Sequence, residues 1–292
     1  MRAFIITILC LKGFTAIAQS DMQQHYKIYD TRNKQLINIE QIVSAMADAD
    51  VLFFGEEHND SAGHFLEAAI FKALHTAYGN QISLSLEMFE TDGQLVLNEY
   101  LAGLIDEARM GRDLRLWSNY KDYRPMIEYA KANQLKVVAA NPPRRYVTMV
   151  SRKGMASLDA LSKEAKQLLP PLPYDTLTGR YREKFMDIMK GSPGSGSNSI
   201  YHSQSLWDAG MSYSIHRFLK ANRGQKVFHC VGKFHSDEKL GTAAQLQLRN
   251  KKLRILNISC FPDKSFANPD WESLSQLGDF VILTNPDLKR TY

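Results

Sequence analysis

The stretch from Val51 to His58, VLFFGEEH, constrains the fold of this chain more than any other. Its four consecutive apolar residues are typical of a strand that is buried on both faces of a sheet. The apolar run stops at a glycine, which is followed by two carboxylates and an imidazole. Open α/β folds place their ligands at the carboxyl ends of their strands. We therefore expect a functional site at this edge of a sheet.

The rest of the chain alternates strand and helix patterns. The predicted strands are residues 51–54, 82–88, 135–140, 226–231, 253–259 and 280–284. The predicted helices are residues 37–47, which follow a polar lead, and residues 61–78, 93–104, 124–133, 200–221 and 240–249. Such alternation predicts an α/β fold, with a mainly parallel central sheet flanked by helices.

One region departs from this alternation. Residues 157–222 contain helical patterns and no buried strand, and Pro170-Pro171-Leu172-Pro173 breaks them. We interpret the region as a helical insertion that caps the sheet edge, with a flexible loop at residues 191–198. Residues 19–292 are expected to form one domain around this sheet.

The first 18 residues have the pattern of a signal peptide. A short basic start precedes an apolar run, and Ala16-Ile17-Ala18 provides a small-x-small cleavage site. Cys10 is preceded by Ile8-Leu9 rather than by small residues, so lipidation is not favoured. We expect an exported protein, periplasmic or associated with the outer membrane, and we predict no transmembrane helix.

Charge and cysteine content narrow the function classes. Removal of residues 1–18 takes away Arg2 and Lys12 and no acid, so the formal net charge falls from +5 to +3. This mild excess, without a dense basic run, gives no case for a nucleic-acid partner. Cys230 and Cys260 remain after cleavage, and they could form a disulfide or stay as buried thiols.

Polar groups follow four of the predicted strands. They are Glu56, Glu57 and His58 after the first strand, Glu87 in the second, Asn141 and Arg144 after the third, and His235 after the fourth. Two of these ends share a Gly-x-x-His pattern, Gly55 to His58 and Gly232 to His235. We expect each glycine to let the chain turn sharply, so that the imidazole points back over the sheet.

Two imidazoles and several carboxylates can support two chemistries. They can bind a transition metal, with Glu56, His58, Glu87 and His235 as the candidate ligands, or they can activate water for hydrolysis. His64 and Glu67 lie one helical turn apart and could support such a site, but a solvated first turn is the favoured interpretation. His229 alternates with Val227 and Val231, so we expect it to be structural.

Five blocks of the chain, in order, resemble the ChaN-like haem-binding uptake proteins of the Tiki superfamily. The blocks are Gly55-Glu56-Glu57-His58, Leu86-Glu87-Met88-Phe89, the segment from Trp117 to Arg144 with its Asn141-Pro142-Pro143-Arg144 turn, Gln204 to Met211, and Gly232-Lys233-Phe234-His235. The resemblance covers about residues 51–256 and implies an α/β fold with a site at the sheet edge.

The resemblance implies that the ligand is haem and that the role is haem or iron acquisition. It also implies a tyrosine as axial ligand, because phenolate is a hard oxygen donor that suits ferric iron. Tyr174, Tyr181, Tyr201 and Tyr213 lie in the cap and the helix that follows it, and Tyr201 is our choice. His58 and His235 are the other candidate haem-binding residues. An outer-membrane haem receptor and a second copy of the chain are the candidate protein partners.

Two alternatives to haem binding stay open. Some relatives in the wider superfamily hydrolyse peptides or esters, and in that case Glu57 or His58 would activate water near Glu87. His235 and Arg144 would then stabilise the developing oxyanion. The other alternative is an exported domain whose polar cluster is only structural.

Overall fold

A computed structural model of the chain describes residues 22–191 and 198–292. The signal peptide predicted for residues 1–18 lies outside the described residues, and so does most of the loop predicted at residues 191–198. Within the described part, no helix is both long enough and apolar enough to cross a bilayer.

An eight-stranded sheet forms the centre of the molecule. Its strands are Tyr26–Asp30 (β1), Gln35–Ile37 (β2), Val51–Glu56 (β3), Ile82–Glu90 (β4), Val137–Asn141 (β5), Lys226–Gly232 (β6), Ile255–Pro262 (β7) and Phe280–Thr284 (β8). They lie in the order β2-β1-β8-β7-β3-β6-β4-β5. Strands β3 to β8 pair in parallel, whereas β1 runs antiparallel to both of its neighbours. The predicted α/β fold with a mainly parallel sheet is confirmed.

Helices cover both faces of this sheet. They are Ile39–Ala45 (α1), Ser61–Tyr78 (α2), Gln94–Leu101 (α3), Glu107–Asp113 (α4), Tyr120–Ala132 (α5), Arg144–Lys153 (α6), Lys163–Lys166 (α7), Arg180–Met189 (α8), Asn198–Ala221 (α9), Gly241–Arg249 (α10) and Trp271–Leu274 (α11). Short 3₁₀ turns connect several of them, including Lys233–His235 directly after β6.

The surroundings of strand β3 explain why its residues from Val51 to Phe54 are all apolar. Leu52 and Phe54 point into one core, which they share with α2, while Val51 and Phe53 point into a second core, which they share with α9. Successive side chains of a strand alternate between the two faces of the sheet, so a strand between two helical layers is apolar at every position. Strand β3 lies between β7 and β6, so its carboxyl end is in the middle of the sheet edge.

The hairpin of β1 and β2 corrects the predicted polar lead. Its sequence gives little signal, because Ile28 is its one buried residue and the hairpin lies at the sheet edge. Ile37 pairs with Ile28 in this hairpin, so it belongs to β2 and not to the predicted helix of residues 37–47. That helix starts at Ile39 because Asn38 caps it, accepting a hydrogen bond from the Gln41 backbone N–H at 3.1 Å.

Between β5 and β6, the described residues form helices and turns and no strand. On α8, Tyr181 and Phe185 pack against Tyr201 of α9 and against Phe234, which lies in the turn after β6. The aromatic cluster holds α8 over the carboxyl end of β6. The structure thus places helices over the sheet edge, as the cap interpretation expects.

Candidate functional site

The first Gly-x-x-His end places His58 beside its own strand. The Nδ1–H of His58 donates to Glu56 Oε1 at 2.9 Å, and this pair is called the His58 dyad below. The hydrogen bond leaves Nε2 to face the end of β6. A Cβ atom at Gly232 would lie only 2.9 Å from His58 Nε2, so the missing side chain makes room for the ring.

Both motif glycines are needed for close approach and not for a sharp turn, which corrects the expectation above. Neither has a positive φ. A Cβ at Gly55 would lie 2.5 Å from Ser236 Oγ and 2.9 Å from Lys233 Cα, which are atoms of the second motif's turn. The glycine at the end of each strand therefore admits the turn or the imidazole that follows the other strand.

The second Gly-x-x-His end forms a matching pair with a helix. The Nδ1–H of His235 donates to Asp208 Oδ1 at 2.7 Å, and this pair is called the His235 dyad below. Asp208 lies on α9 and is fully buried. It also accepts hydrogen bonds from the Tyr181 hydroxyl and from Thr242 Oγ1, the latter at 2.9 Å. Its carboxylate therefore has three donors.

Glu87 lies between the two dyads at the end of β4. Its Oε2 accepts the backbone N–H of Gly232 at 2.8 Å, and its Oε1 is 4.0 Å from His235 Nε2. Since β3, β6 and β4 are neighbours in the sheet, their carboxyl ends bring His58, His235 and Glu87 together. The side chains at these three predicted strand ends lie at one edge.

Carboxylates control the charge of both imidazoles. Burial alone would lower the pKa of His58, but the Glu56 hydrogen bond and the charges of Glu87 and Glu56 raise it to about 9. Burial opposes the charged form of His235 too, yet the Asp208 carboxylate raises the pKa of that ring. A carboxylate on Nδ1 also orients each ring so that Nε2 points away from it, where Nε2 can act as an acid or, after losing its proton, as a base or a metal ligand.

A cavity of about 540 Å³ opens in front of these rings. Its polar side carries His58, His235, Gln204 and Lys233, and its apolar side carries Phe185, Ile188, Met189 and Phe234. Ile188 is 66% exposed and leaves an apolar surface at the cavity mouth. Tyr292 also lines the cavity. The cavity therefore offers an apolar surface and imidazole edges to the same ligand.

A second group of side chains lies behind His58 and is called the inner cluster below. It consists of Glu56, His64 and Glu67, all buried. His64 Nδ1 is 3.1 Å from Glu67 Oε2 and 3.3 Å from Glu56 Oε2. His64 is 6% exposed and Glu67 is 0% exposed, so the solvated first turn predicted for them is wrong.

Burial raises the pKa of two groups in or beside the inner cluster, Glu67 and Tyr123. Burial and the nearby Glu56 carboxylate raise the pKa of Glu67. Burial of Tyr123 and the same carboxylate raise the pKa of the Tyr123 phenol, which donates to Glu56 Oε1 at 2.8 Å. Glu56 thus faces the pocket histidine with one oxygen and the inner cluster with the other.

Comparison with known proteins identifies the family. Residues 42–246 match the family described as haem-binding uptake proteins of the Tiki superfamily, ChaN. The chain belongs to this family. Among solved structures, it resembles the one described as cofacial haem binding to ChaN of Campylobacter jejuni, with a TM-score of 0.67 at 18% sequence identity. The match covers 89% of this chain and 97% of that chain, and it shows a shared fold.

Two other similarities are weaker. A mutant of the erythromycin esterase EreC, in its open conformation, gives a TM-score of 0.48 at 12% identity and covers 89% of this chain and 83% of that one. Protein RETICULATA-RELATED 5, a chloroplastic protein of Arabidopsis thaliana, is 28% identical over 101 residues. That match spans 34% of this chain and only 14% of the curated relative's length.

The tyrosines predicted as axial ligands of this family member lie outside the cavity lining. The hydroxyl of Tyr201 donates to the Leu177 carbonyl, and that of Tyr174 donates to the His202 carbonyl. Tyr181 donates to Asp208, and Tyr213 packs beside arginine side chains. Among the described residues that line the cavity, the tyrosine is Tyr292.

Two of the predicted strand-end residues are not part of the convergence. The Arg144 side chain is exposed, and the residue is held through its backbone N–H, which donates to Glu90 at 3.0 Å. Asn141 is buried in β5, and its Oδ1 has no hydrogen-bond partner among the described residues. Glu57, by contrast, lines the cavity, 4.0 Å from Lys233 Nζ.

Sequence reasoning missed the partners that hold the imidazoles. Asp208 stood in the Gln204–Met211 block, and a carboxylate inside a mostly apolar helical stretch was a usable signal. Tyr123 gave none, because its contact with Glu56 joins residues 67 positions apart. His229 is fully buried, and its Nδ1 is 3.0 Å from Ser85 Oγ, which fits the structural role predicted for it. Cys230 and Cys260 are both free and buried.

Proposed function

We propose that this protein is an exported haem-binding protein that acts in haem or iron acquisition and holds haem in the cavity between α8 and the sheet edge. The observation that carries the proposal is the pairing of an apolar wall with two imidazole edges in one cavity. A porphyrin needs an apolar slot for its faces and a donor atom for its iron. Membership of the haem-binding uptake family supports the same ligand.

The residues around the cavity fit the parts of haem. Phe185, Met189 and Phe234 offer the apolar surface for the ring. Lys233, whose nearest carboxylates are 3.8 Å and 4.0 Å away, is loosely paired and can receive a haem propionate. When bound, haem supplies an iron atom whose axial positions accept protein donor atoms.

Two residues that line the cavity carry donor atoms for such an iron. Nε2 of His58 is available because Glu56 holds Nδ1, and the side chain is 34% exposed. Tyr292 offers a phenol oxygen and is 67% exposed. Tyr201, our choice from sequence, supports the wall through Phe185 and would have to release the Leu177 carbonyl before it could bind a metal.

Titration with hemin tests the proposal. The purified protein is expected to bind hemin and to shift its Soret band, and Tyr292→Phe and His58→Ala are expected to change or weaken that band. Tyr213→Phe is the matched control, because Tyr213 lies on the same helix as Tyr201 and outside the cavity lining. Tyr201→Phe then tests the choice made from sequence.

Two results would count against haem binding. One is the absence of a Soret shift at equimolar hemin in a folded protein. The other is a shift that both Tyr292→Phe and His58→Ala leave unchanged, because the haem would then be bound outside this cavity.

Export, a haem receptor and a homodimer belong to the same proposal. Export is supported by the leader pattern of residues 1–18. Expression of the full chain in a bacterium should give a mature protein that begins at Gln19, as read by N-terminal sequencing. Light scattering with and without hemin tests the dimer, and the mass of a single chain under both conditions removes it from the proposal.

Hydrolysis of an ester or peptide bond is the second candidate, and the two carboxylate–histidine dyads facing Glu87 favour it. In this mechanism His58 or Glu57 activates water, and His235 assists across the cavity. Arg144 has no contact with the cavity lining that would support its predicted oxyanion role. Cleavage that disappears in both His58→Ala and His235→Ala would support the enzyme, whereas inactivity against a panel of esters and peptides would remove it.

A further inference from the structure

The inner cluster contains two buried carboxylates, and its nitrogen group is the imidazole of His64 rather than a lysine or arginine side chain. Among the described residues, the ion pairs of Glu56 and Glu67 are with histidines only. Transfer of unpaired charge into a protein interior is costly, so a buried carboxylate pair needs a proton or a cation between its members. The position of the carboxylate oxygens that have no hydrogen bond decides whether a proton or a cation suits the cluster better.

Glu56 uses its two oxygens for different partners. Its Oε1 receives the Tyr123 hydroxyl at 2.8 Å and the Nδ1–H of His58 at 2.9 Å. Its Oε2 is buried and has no hydrogen-bond partner among the described residues, and the same is true of Glu67 Oε1. The inner cluster therefore contains carboxylate oxygens that lack a donor and are shielded from bulk solvent.

His64 completes the set with a nitrogen whose protonation its surroundings decide. Its Nε2 is 3.1 Å from the His58 carbonyl oxygen, which can only accept, so Nε2 carries the hydrogen. Nδ1 then faces Glu56 and Glu67, and a metal ion bound there would replace the proton that this nitrogen shares with the two carboxylates. A carbonyl bound to the other ring nitrogen is a usual way in which proteins orient a metal-binding histidine. The ring of Tyr123, edge-to-face at 4.9 Å, holds it in this position.

The distances suit one small ion. One ligand atom from each of the three side chains can be chosen so that all lie within 4.8 Å of one another. Two of the separations, 3.1 Å and 3.3 Å, are close to the edge of a tetrahedron built from bonds of about 2.0–2.1 Å, which is about 3.3–3.4 Å. The set predicted from sequence, Glu56, His58, Glu87 and His235, does not converge this closely among the described residues.

We propose that Glu56, His64 and Glu67 bind one divalent transition-metal cation of the Zn²⁺ or Mn²⁺ type beneath the haem cavity, which Glu56 also lines. Two carboxylates balance the charge of such an ion. One imidazole with two carboxylates suits these metals better than Ca²⁺, which takes six to eight oxygen ligands. Glu56 connects this site to His58, so the cation would hold the carboxylate that orients the cavity imidazole.

Metal binding is tested on protein that has been dialysed against a chelator and then titrated with ZnCl₂ or MnCl₂. One ion per chain is expected by equilibrium dialysis with elemental analysis, together with a higher midpoint of thermal unfolding. Glu67→Gln is expected to lower the affinity by about 100-fold or more, since loss even of an outer-shell partner costs about 10–100-fold. His64→Asn should have the same effect.

Two control variants locate the ion. His75→Asn removes a histidine from the same helix, two turns beyond Glu67, and should bind the ion as the wild type does. His235→Asn alters the haem cavity and should also retain the ion. A site in the cavity would instead lose the ion in His235→Asn and keep it in Glu67→Gln, which would overturn the proposal.

Glu67→Gln also separates a metal from a shared proton. If the inner cluster holds only a proton, Glu67→Gln replaces one neutral group, a carboxyl, with another, an amide. The wild type then shows neither stoichiometric binding nor a change in unfolding midpoint with either metal. That result overturns the proposal even if His64→Asn fails to fold. Hemin titration of the wild type tests the proposed haem function separately, because hemin binding without metal binding, or the reverse, would overturn one proposal and leave the other standing.

Discussion

The His58 dyad and the His235 dyad have the same Gly-x-x-His sequence pattern, on adjacent parallel strands, but different surroundings. His235 takes its carboxylate from a distant helix, and Asp208 is fully buried with three donors. His58 takes its carboxylate from two residues away, and the Glu56 oxygen that has no hydrogen bond faces the inner cluster. The side chain of His58 is 34% exposed, and that of His235 is 10% exposed.

The difference separates a fixed half of the site, the His235 dyad at the end of β6, from an adaptable half, the His58 dyad at the end of β3. In the His235 dyad every donor around the carboxylate is used, which makes the arrangement costly to disturb. In the His58 dyad the ring faces the cavity and the carboxylate has capacity left for another partner. We infer that the β6 end mainly holds the edge in shape, while ligands act on the β3 end.

Asp208→Ala should produce the largest effect. It would leave the buried donors of His235, Tyr181 and Thr242 without an acceptor, and the free energy of unfolding should fall by about 3–5 kcal/mol. Urea denaturation followed by circular dichroism measures the loss. Glu57→Gln, at a half-buried residue of the cavity, is the control and should change stability little. A loss below about 1 kcal/mol for Asp208→Ala would contradict a fixed β6 half.

The motif glycines should separate stability from binding. Gly55→Ala puts a methyl group against the Lys233 backbone, which cannot move aside easily, and should cost about 3 kcal/mol. Gly232→Ala meets the His58 ring, which can shift, and should cost less than about 1 kcal/mol while weakening hemin binding. Denaturation and hemin titration of both variants provide the check. Equal losses of stability would show that the two motif ends are equally rigid.

His229 gives β6 an acid sensitivity that the β3 end lacks. Burial lowers the pKa of His229 to about 3, so the folded protein keeps it neutral while the unfolded chain is protonated below about pH 6.5. The free energy of unfolding should therefore decrease as the pH is lowered, by about 2 kcal/mol from pH 7 to pH 5. Histidines whose pKa is raised, such as His58, cause no acid loss, because their contribution is lost only as pH rises toward about 9.

His229→Asn isolates that contribution. Urea denaturation of both proteins at pH 7 and pH 5 should show that the variant lacks about 2 kcal/mol of the acid loss. The interpretation fails if both proteins lose the same stability over this range.

Much of the fold could be predicted because its signals are local. Strand β8 matches its predicted bounds, and α2 does as well, since apolar runs, helical periodicity and the Gly79-Asn80 stop all lie within or directly beside the element. The β1–β2 hairpin could not be predicted, because an edge hairpin with one buried side chain has no apolar pattern. Its structure depends on pairing with β8, which lies near the other end of the sequence.

The candidate site divides in the same way. The sequence by itself determined that His58 and His235 follow buried strands and that Glu87 lies near the end of another, because the length of each apolar run limits the strand. Only the tertiary structure decided which carboxylate holds each imidazole, why both glycines are required, and that His64 and Glu67 are buried beside Glu56. The reason is that these contacts form across strands and helices, where the packing of α2 and α9 against the sheet sets the distances.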